Sequence, residues 1–135
     1  MQTMFNNGEK AKKHNVFDRS VYSGLNKCLF VPNCAYEIEY INEVFPNGSR
    51  VCIYQSDNGQ YMRAVHFPNI KVLTGNAGIL FEAKTGRIVW CEVNPADRKK
   101  GIYKQLRAIV PLLTKIKLWS DFQSVDLLKA AHLMA

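Results

Sequence analysis

Apolar and polar residues alternate with the two-residue period of β-strands through the middle of the chain. Residues 36–41 alternate apolar with acidic side chains, a pattern that favours a strand but leaves a short helix open. Turn signals with glycine separate this segment from those that follow it. The pattern predicts an antiparallel meander whose further strands cover residues 51–54, 61–67, 78–83 and 87–93.

After Val93 the period changes to that of a helix. Asp97 can act as an N-cap, which predicts that the helix begins within two residues of Asp97. Pro111 predicts that this helix ends near Val110 or kinks there, because proline lacks the backbone N–H. The apolar positions at helical spacing are Ile102, Tyr103, Leu106, Ile109, Val110 and Leu113.

The last quarter of the chain predicts a short strand at residues 116–120 and a final helix at residues 124–134. A meander followed by helix, strand and helix is an α+β, or mixed α/β, fold. We interpret residues 1–15 as a flexible tail and residues 16–135 as a single domain. Helix and strand signals compete in residues 16–29.

The composition supports one ordinary domain. The chain has 135 residues, of which 47% are hydrophobic and 21% charged, and these values exclude wholesale disorder. No apolar run approaches the roughly 18 residues of a membrane span, so we expect no membrane contact and a cytoplasmic protein. Cys28 and Cys34 lack a matching second pair, which argues against a metal site and for free thiols.

The net charge of +7 is concentrated near the C-terminus. Residues 98–135 hold eight basic and two acidic side chains, a net charge of +6. Such an excess favours an anionic partner, either a phosphorylated cofactor or a nucleic acid.

The same region contains a strand, a basic glycine turn and a predicted helix. The first amides of a helix have no intrahelical partner, and the helix dipole adds positive potential there. Gly101 has no Cβ, so an anion can approach the backbone. Arg98, Lys99 and Lys100 add charge. The segment is therefore a candidate anion site, although a solvated basic helix start explains the local pattern equally well.

The stretch resembles the acyl-CoA-binding motif of the GNAT superfamily of N-acetyltransferases. That motif is a strand ending in Val-x-Pro, then Arg or Gln, two variable residues, Gly, one variable residue and often a small residue. Here Val93-Asn94-Pro95 leads into Arg98-Lys99-Lys100-Gly101-Ile102-Tyr103. Tyr103 departs from the small residue, and the resemblance covers roughly residues 50–135.

The resemblance implies a GNAT-like fold and an acetyl-CoA donor that transfers its acyl group directly to an amine. The cofactor-binding residues would be Val93, Arg98, Lys99, Lys100, Gly101, Ile102 and Tyr103. The amides of Lys99 to Tyr103 would hold the pyrophosphate, and the Val93 amide would polarise the thioester carbonyl. The pantetheine would lie where the end of β-strand 87–93 splays from residues 116–120.

The catalytic half of the family pattern is incomplete. The family's glutamate eleven residues before the motif arginine falls on Arg87, so Glu92 and Glu82 are the nearby candidates for a base. The last helix lacks the family's tyrosine, and His132 is the candidate acid. The fold lacks the family's last two strands, and a homodimer can supply the missing wall. The acceptor amine stays open.

A second hypothesis assigns the chain to another class of protein. A basic nucleic-acid-binding protein with a GNAT-like fold, either non-enzymatic or acting on a nucleic-acid-associated substrate, would place Lys104, Arg107, Lys115 and Lys117 on phosphates. Cys91 beside Trp90 fits strand core better than a nucleophile. His66 faces either the cleft or a structural partner, and the sequence favours neither alternative.

Overall fold

The computed structural model describes residues 13–15, 36–72 and 74–120. Six strands form one sheet in the order β1-β2-β3-β4-β5-β6, and each strand is antiparallel to its neighbour. Within these ranges, one α-helix, α1, follows the last strand. The elements are β1 Lys13–Asn15, β2 Tyr36–Val44, β3 Arg50–Ser56, β4 Tyr61–Phe67, β5 Ala77–Glu82, β6 Ile88–Val93 and α1 Ile102–Thr114.

Helix α1 packs on one face of the sheet, over β4, β5 and β6. Its buried residues, Tyr103, Leu106, Val110 and Leu113, recur at helical spacing because one face of the helix meets the sheet. The strand residues of this face alternate with those of the other face. The buried strand side chains around α1 include Ile53, Met62, Ala64, Ile79, Phe81, Cys91 and Val93.

The opposite face of the sheet carries a second buried group, formed by Cys52, Tyr54, Val65, Phe67 and Leu80. A buried ion pair lies among the residues of this face. The Arg63 Nη2 atom donates to Glu37 Oε1, and both side chains are fully buried. Glu37 is therefore a core residue, whereas Ile38, its neighbour in β2, is 36% exposed.

The hairpin of β5 and β6 contains a β-bulge. Phe81 pairs with Ile88, but Leu80 pairs with Trp90, so Val89 is one extra residue in β6. Ile88, Cys91 and Val93 consequently all belong to the core under α1.

The prediction for the helix start is wrong by one turn. Residues Pro95–Asp97 form a short 3-10 helix, and α1 begins at Ile102 with Gly101, not Asp97, as its N-cap. Pro95 opens the short helix, and the extended backbone of Arg98 ends it before α1 can start. Its end also differs, because α1 passes through Pro111 and stops at Thr114.

Beyond the proline, Thr114 Oγ1 donates to the Val110 carbonyl at 2.7 Å and the Lys115 amide donates to the Pro111 carbonyl at 2.9 Å. These bonds close the last turn around the proline, and Lys115 leaves the helix with a left-handed φ of 63°.

The strand predicted at residues 116–120 is reduced to one parallel bridge between Arg87 and Trp119. The Ile88 amide donates to the Trp119 carbonyl at 2.9 Å, and the Trp119 amide donates to the Gly86 carbonyl at 3.2 Å. This bridge places Trp119 along the side of β6 that faces away from β5. A Cβ on Gly86 would lie 2.0 Å from the Lys117 carbonyl oxygen, so only glycine fits there.

The α+β class is confirmed, and so is the antiparallel meander. Residues 36–41 are strand, which removes the helical alternative. The predicted tail is too long at its C-terminal end, because Lys13–Asn15 pair with Tyr36 to Ile38 in β2. The ambiguous segment 16–29 and the helix predicted at 124–134 lie outside the described residues.

Candidate functional site

The end of β6 presents a backbone amide to the side of the sheet away from β5. The Asn94 amide donates to the Asn76 carbonyl at 2.7 Å. With Ala77 opposite Val93, this bond makes Ala77 and Val93 a non-hydrogen-bonded pair. The Val93 N–H and C=O therefore point away from β5, toward the edge along which Trp119 lies.

The loop after β6 returns to that edge. Arg98 is half-buried, and its Nε atom donates to the Val93 carbonyl oxygen at 3.1 Å. Lys99 and Gly101 both have left-handed backbone, with φ of 67° and 77°. A lysine in this region is uncommon and costs energy, so the loop path is held by its surroundings.

Helix α1 begins without a side-chain cap. Gln105 N–H makes the first intrahelical bond, to the Gly101 carbonyl at 3.0 Å, so the amides before it have no helical partner. The first turn contains no acidic residue. A Cβ on Gly101 would meet nothing within 4 Å, which means that the space above the glycine is open. The arrangement leaves amide hydrogens and the positive end of the dipole available to an anion.

Two of the three basic side chains in this loop are exposed. Lys99 and Lys100 face solvent, and Lys100 Nζ lies 3.2 Å from Asp97 Oδ1. An exposed pair of this kind contributes little and can yield to another anion. Lys99 and Lys100 therefore supply positive charge to the mouth of the site, while Arg98 positions its backbone.

Tyr103 departs from the family's small residue, but its side chain is turned into the core. It is only 7% exposed, and its hydroxyl accepts from Arg107 Nη1 at 3.2 Å and contacts the Cys91 thiol. The side chain thus leaves the outer surface of the first turn open. Ile102, the neighbouring motif residue, is half-buried against the core.

Burial sets the protonation of this inner cluster. It raises the pKa of the Cys91 thiol to about 12, against smaller lowering effects of Arg107 and the Tyr103 hydrogen bond. It also raises the pKa of Tyr103 to about 12, with the Cys91 thiol acting in the same direction. Both groups are neutral at pH 7. Cys91 is 4% exposed and lies in the core under α1, which confirms the prediction of a strand-core residue.

His66 lies in the same row of the sheet as Ala77 and Val93. Its Nδ1 lies 2.6 Å from Asn76 Oδ1, and both side chains are buried. Asn76 also accepts the Asn94 amide through its backbone, so it joins the end of β4 to the first residue of the loop. Of the two roles open to His66, the structure therefore places it with a structural partner.

The candidate catalytic residues are not brought together. Glu92 precedes Val93 and is half-buried on the sheet face opposite α1, as its pairing with Gly78 places it. Glu82 ends β5, five residues from Ala77 and so about 17 Å along the sheet from the row of Val93. It is bonded there to Arg87 Nε at 3.1 Å and to Thr85 Oγ1 at 2.7 Å. His132 lies outside the described residues.

The structure thus places Glu82, one of the two candidate bases, at the other end of β5 from the row of Val93. A shallow cleft of about 420 Å³ adjoins Glu82, but it lies at the far end of the sheet from Val93. It is lined by Gly59, Gln60, Tyr61, Glu82, Lys84 and Thr85.

The four basic residues named for nucleic-acid contact do not share one environment. Lys104, Lys115 and Lys117 are exposed, whereas Arg107 is half-buried and bonded to Tyr103. The spacing of Tyr103 and Arg107, four residues apart on one helix, is a signal that sequence reasoning missed. The contact between Asn94 and Asn76 could not be predicted from the sequence, because a backbone hydrogen bond between two turns does not depend on the residue types.

Within the described ranges, no group of three or more His, Cys, Asp or Glu side chains is placed to hold a metal ion. No helix of that part of the chain is long and apolar enough to cross a membrane. The two cysteines there, Cys52 and Cys91, are free thiols.

The arrangement can bind an anion at the start of α1 and can place a hydrogen-bond donor, the Val93 amide, at the neighbouring sheet edge. The chain was compared with protein-family models, with curated proteins and with solved structures. None of the three comparisons finds a match.

Proposed function

We propose that this protein is an acyl-CoA-dependent N-acyltransferase of the GNAT type, which transfers an acetyl or similar group to an amine. The proposal rests on one observation above all. The outward-facing amide of Val93 adjoins an uncapped, basic helix start whose glycine leaves the backbone accessible. A donor with a pyrophosphate at one end and a thioester at the other needs both features, in this order along the chain.

The anion end of the donor would bind at the first turn of α1. The amides around Lys99 to Tyr103 would donate to the pyrophosphate, while Lys99 and Lys100 would add charge from the solvent side. The inward turn of Tyr103 supports this assignment, because its bulk does not obstruct the surface that the family keeps small.

The reacting end would lie along the outer side of β6. The Val93 N–H would donate to the thioester carbonyl oxygen and stabilise the negative charge that develops when a neutral amine attacks. The C–N bond forms, the C–S bond breaks, and CoA leaves as the thiol after it gains the proton that the amine loses. Glu92, the residue before Val93, would receive that proton through water.

Calorimetry with acetyl-CoA and with desulfo-CoA tests the proposal. We expect both to bind, because the anchoring contacts are made to the pyrophosphate and not to the sulfur. Binding should weaken as salt is added, since several charges meet at the site. Absence of heat with either compound at high micromolar concentration would remove the enzyme proposal and favour the nucleic-acid-binding alternative.

A further inference from the structure

Arg107 is a partly buried cation whose guanidinium pairs with no carboxylate of the described residues. It lies four residues after Tyr103 on α1 and donates one hydrogen bond, from Nη1 to the Tyr103 hydroxyl. Within residues 36–72 and 74–120, no carboxylate lies at ion-pair distance from it, and Tyr103 is its one hydrogen-bond partner. A guanidinium has five N–H donors, so most of its donor capacity is available. A half-desolvated charge of this kind favours an anionic partner.

The direction in which Arg107 lies follows from its neighbours. The Tyr103 hydroxyl contacts the thiol of Cys91, which is in β6, and Arg107 acts electrostatically on the same thiol. Both helix residues are thus on the side of α1 that faces β6. Ile102 and Ile109 occupy the other flank of the buried stripe.

The position of Arg107 along α1 separates it from the anion-binding turn. Arg107 is six residues beyond Gly101, which is about 9 Å along the axis of α1. It lies instead beside Cys91, two residues before Val93 and so about 7 Å down the strand. A group that continues from the Val93 amide along β6, away from the pyrophosphate, comes toward the guanidinium.

From this placement we infer that Arg107 recognises a carboxylate at the far end of the donor's acyl group, so that the preferred donor is the CoA thioester of a short dicarboxylic acid. The inference rests on the proposed function and narrows its substrate class. The planar guanidinium suits a carboxylate because its N–H groups match the two oxygens. The hydroxyl of Tyr103 holds the guanidinium in place from below.

The experiment compares succinyl-CoA with butyryl-CoA by calorimetry on the full chain. The two acyl groups have the same chain length, so the terminal carboxylate is the main difference. We expect the dissociation constant of succinyl-CoA to be at least about tenfold lower than that of butyryl-CoA. A ratio of this size corresponds to the free energy of a hydrogen bond to a charged group. The R107Q variant, which keeps a donor for Tyr103, should lose this preference while its affinity for butyryl-CoA stays the same. R107K, which keeps the charge without the planar fork, should retain part of it.

The K84Q variant is the matched control, because Lys84 is an exposed lysine at the other end of the sheet. It removes the same charge and should keep the full preference. Equal binding of the two thioesters by the unmodified protein would overturn the inference and leave the proposed function intact. So would an equal loss for both thioesters in R107Q, which would mean that Arg107 holds the CoA moiety. If neither thioester binds to the unmodified protein, the proposed function itself fails.

Discussion

The Nε atom of Arg98 donates a hydrogen bond to the carbonyl oxygen of Val93 at 3.1 Å. This contact fastens the loop that precedes α1 to the last residue of β6. It uses the carbonyl at the outer side of the strand and leaves the amide of the same residue available. The part of the site proposed for the pyrophosphate and the part proposed for the thioester are thus held together by one side chain.

Arg98→Met should weaken acetyl-CoA binding by about tenfold, because both a charge and a hydrogen bond to the backbone are lost. Lys99→Met should cost less, since Lys99 is exposed and contributes charge without holding the loop. Calorimetry at one salt concentration measures both. If Arg98→Lys binds as well as the unmodified protein, the charge of Arg98 matters and its tether does not.

Gly101→Glu should abolish acetyl-CoA binding through bulk and like charge at the first turn of α1. Gly59→Glu is the matched control, because Gly59 has a φ of 74°, close to the 77° of Gly101, and equally open space above it. Both variants lose about 1–2 kcal/mol of stability from the left-handed backbone. Only the first should lose binding, and equal binding losses in the two would assign the effect to stability.

Replacing Lys104, Lys115 and Lys117 together with alanine should change acetyl-CoA affinity by no more than about twofold, because exposed charges away from the site act weakly. If the protein binds nucleic acid, the same variant should weaken that binding evenly across sequences. Its salt dependence should also fall by about one unit of slope for each lost phosphate contact. A gel-shift assay and calorimetry separate the two partners. Tight, salt-sensitive binding of DNA or RNA that the variant loses would favour the nucleic-acid function.

Gly86→Ala should destabilise the protein more than Gly48→Ala. Both glycines have left-handed backbone, with φ of 79° and 89°, so the conformational cost is shared. Only Gly86 also faces a carbonyl oxygen, that of Lys117, at 2.0 Å from the new Cβ. The clash adds about 1–3 kcal/mol to the loss, as urea unfolding of the two variants should reveal. Equal stabilities would mean that residues 116–119 move aside without cost.

The stability of the fold should fall as the pH rises from about 9 to about 12. Burial raises the pKa of the Cys91 thiol from 9.0 to about 12 and that of Tyr103 from 10.0 to about 12. The unfolded chain therefore loses these protons first, and each deprotonation favours the unfolded state. The contribution is complete below pH 9. We expect the urea midpoint of the unmodified protein to fall between pH 8 and pH 10.5, and to fall less in Cys91→Ala. An equal fall in the two proteins would contradict the assignment of the effect to Cys91.

Sequence patterns predicted the strands well where both faces are buried or clearly alternate, as in β4 and β6. They did not predict which face of β2 is buried. Glu37 is buried and Ile38 is exposed, because Glu37 pairs with Arg63, which is distant in sequence. Tertiary pairing of opposite charges outweighed the usual preference of a carboxylate for water.

The start of α1 was predicted from the sequence in outline but not in its details. The glycine, the basic residues and the strand before them could be read because helix starts follow local rules. Asp97 was the predicted N-cap of α1, but it ends the short 3-10 helix that begins at Pro95, and Gly101 is the N-cap instead. The contact of Arg98 with Val93 and the inward turn of Tyr103 depend on packing that local rules do not include.

The bulge at Val89 determines which hydrogen atoms of β6 are available. In a regular strand every second amide points to the same side. Ile88 and Val93 are five residues apart, so with the Ile88 amide directed outward to Trp119, the Val93 amide would point inward to β5. One additional residue inverts that parity, and both amides face the same edge. A slip of the β5–β6 register by one residue that absorbed Val89 into the ladder would turn the Val93 amide toward β5 and consume the donor that the proposed chemistry requires. The irregular pairing at Val89 thus keeps two amide donors of β6, those of Ile88 and Val93, at one edge of the sheet.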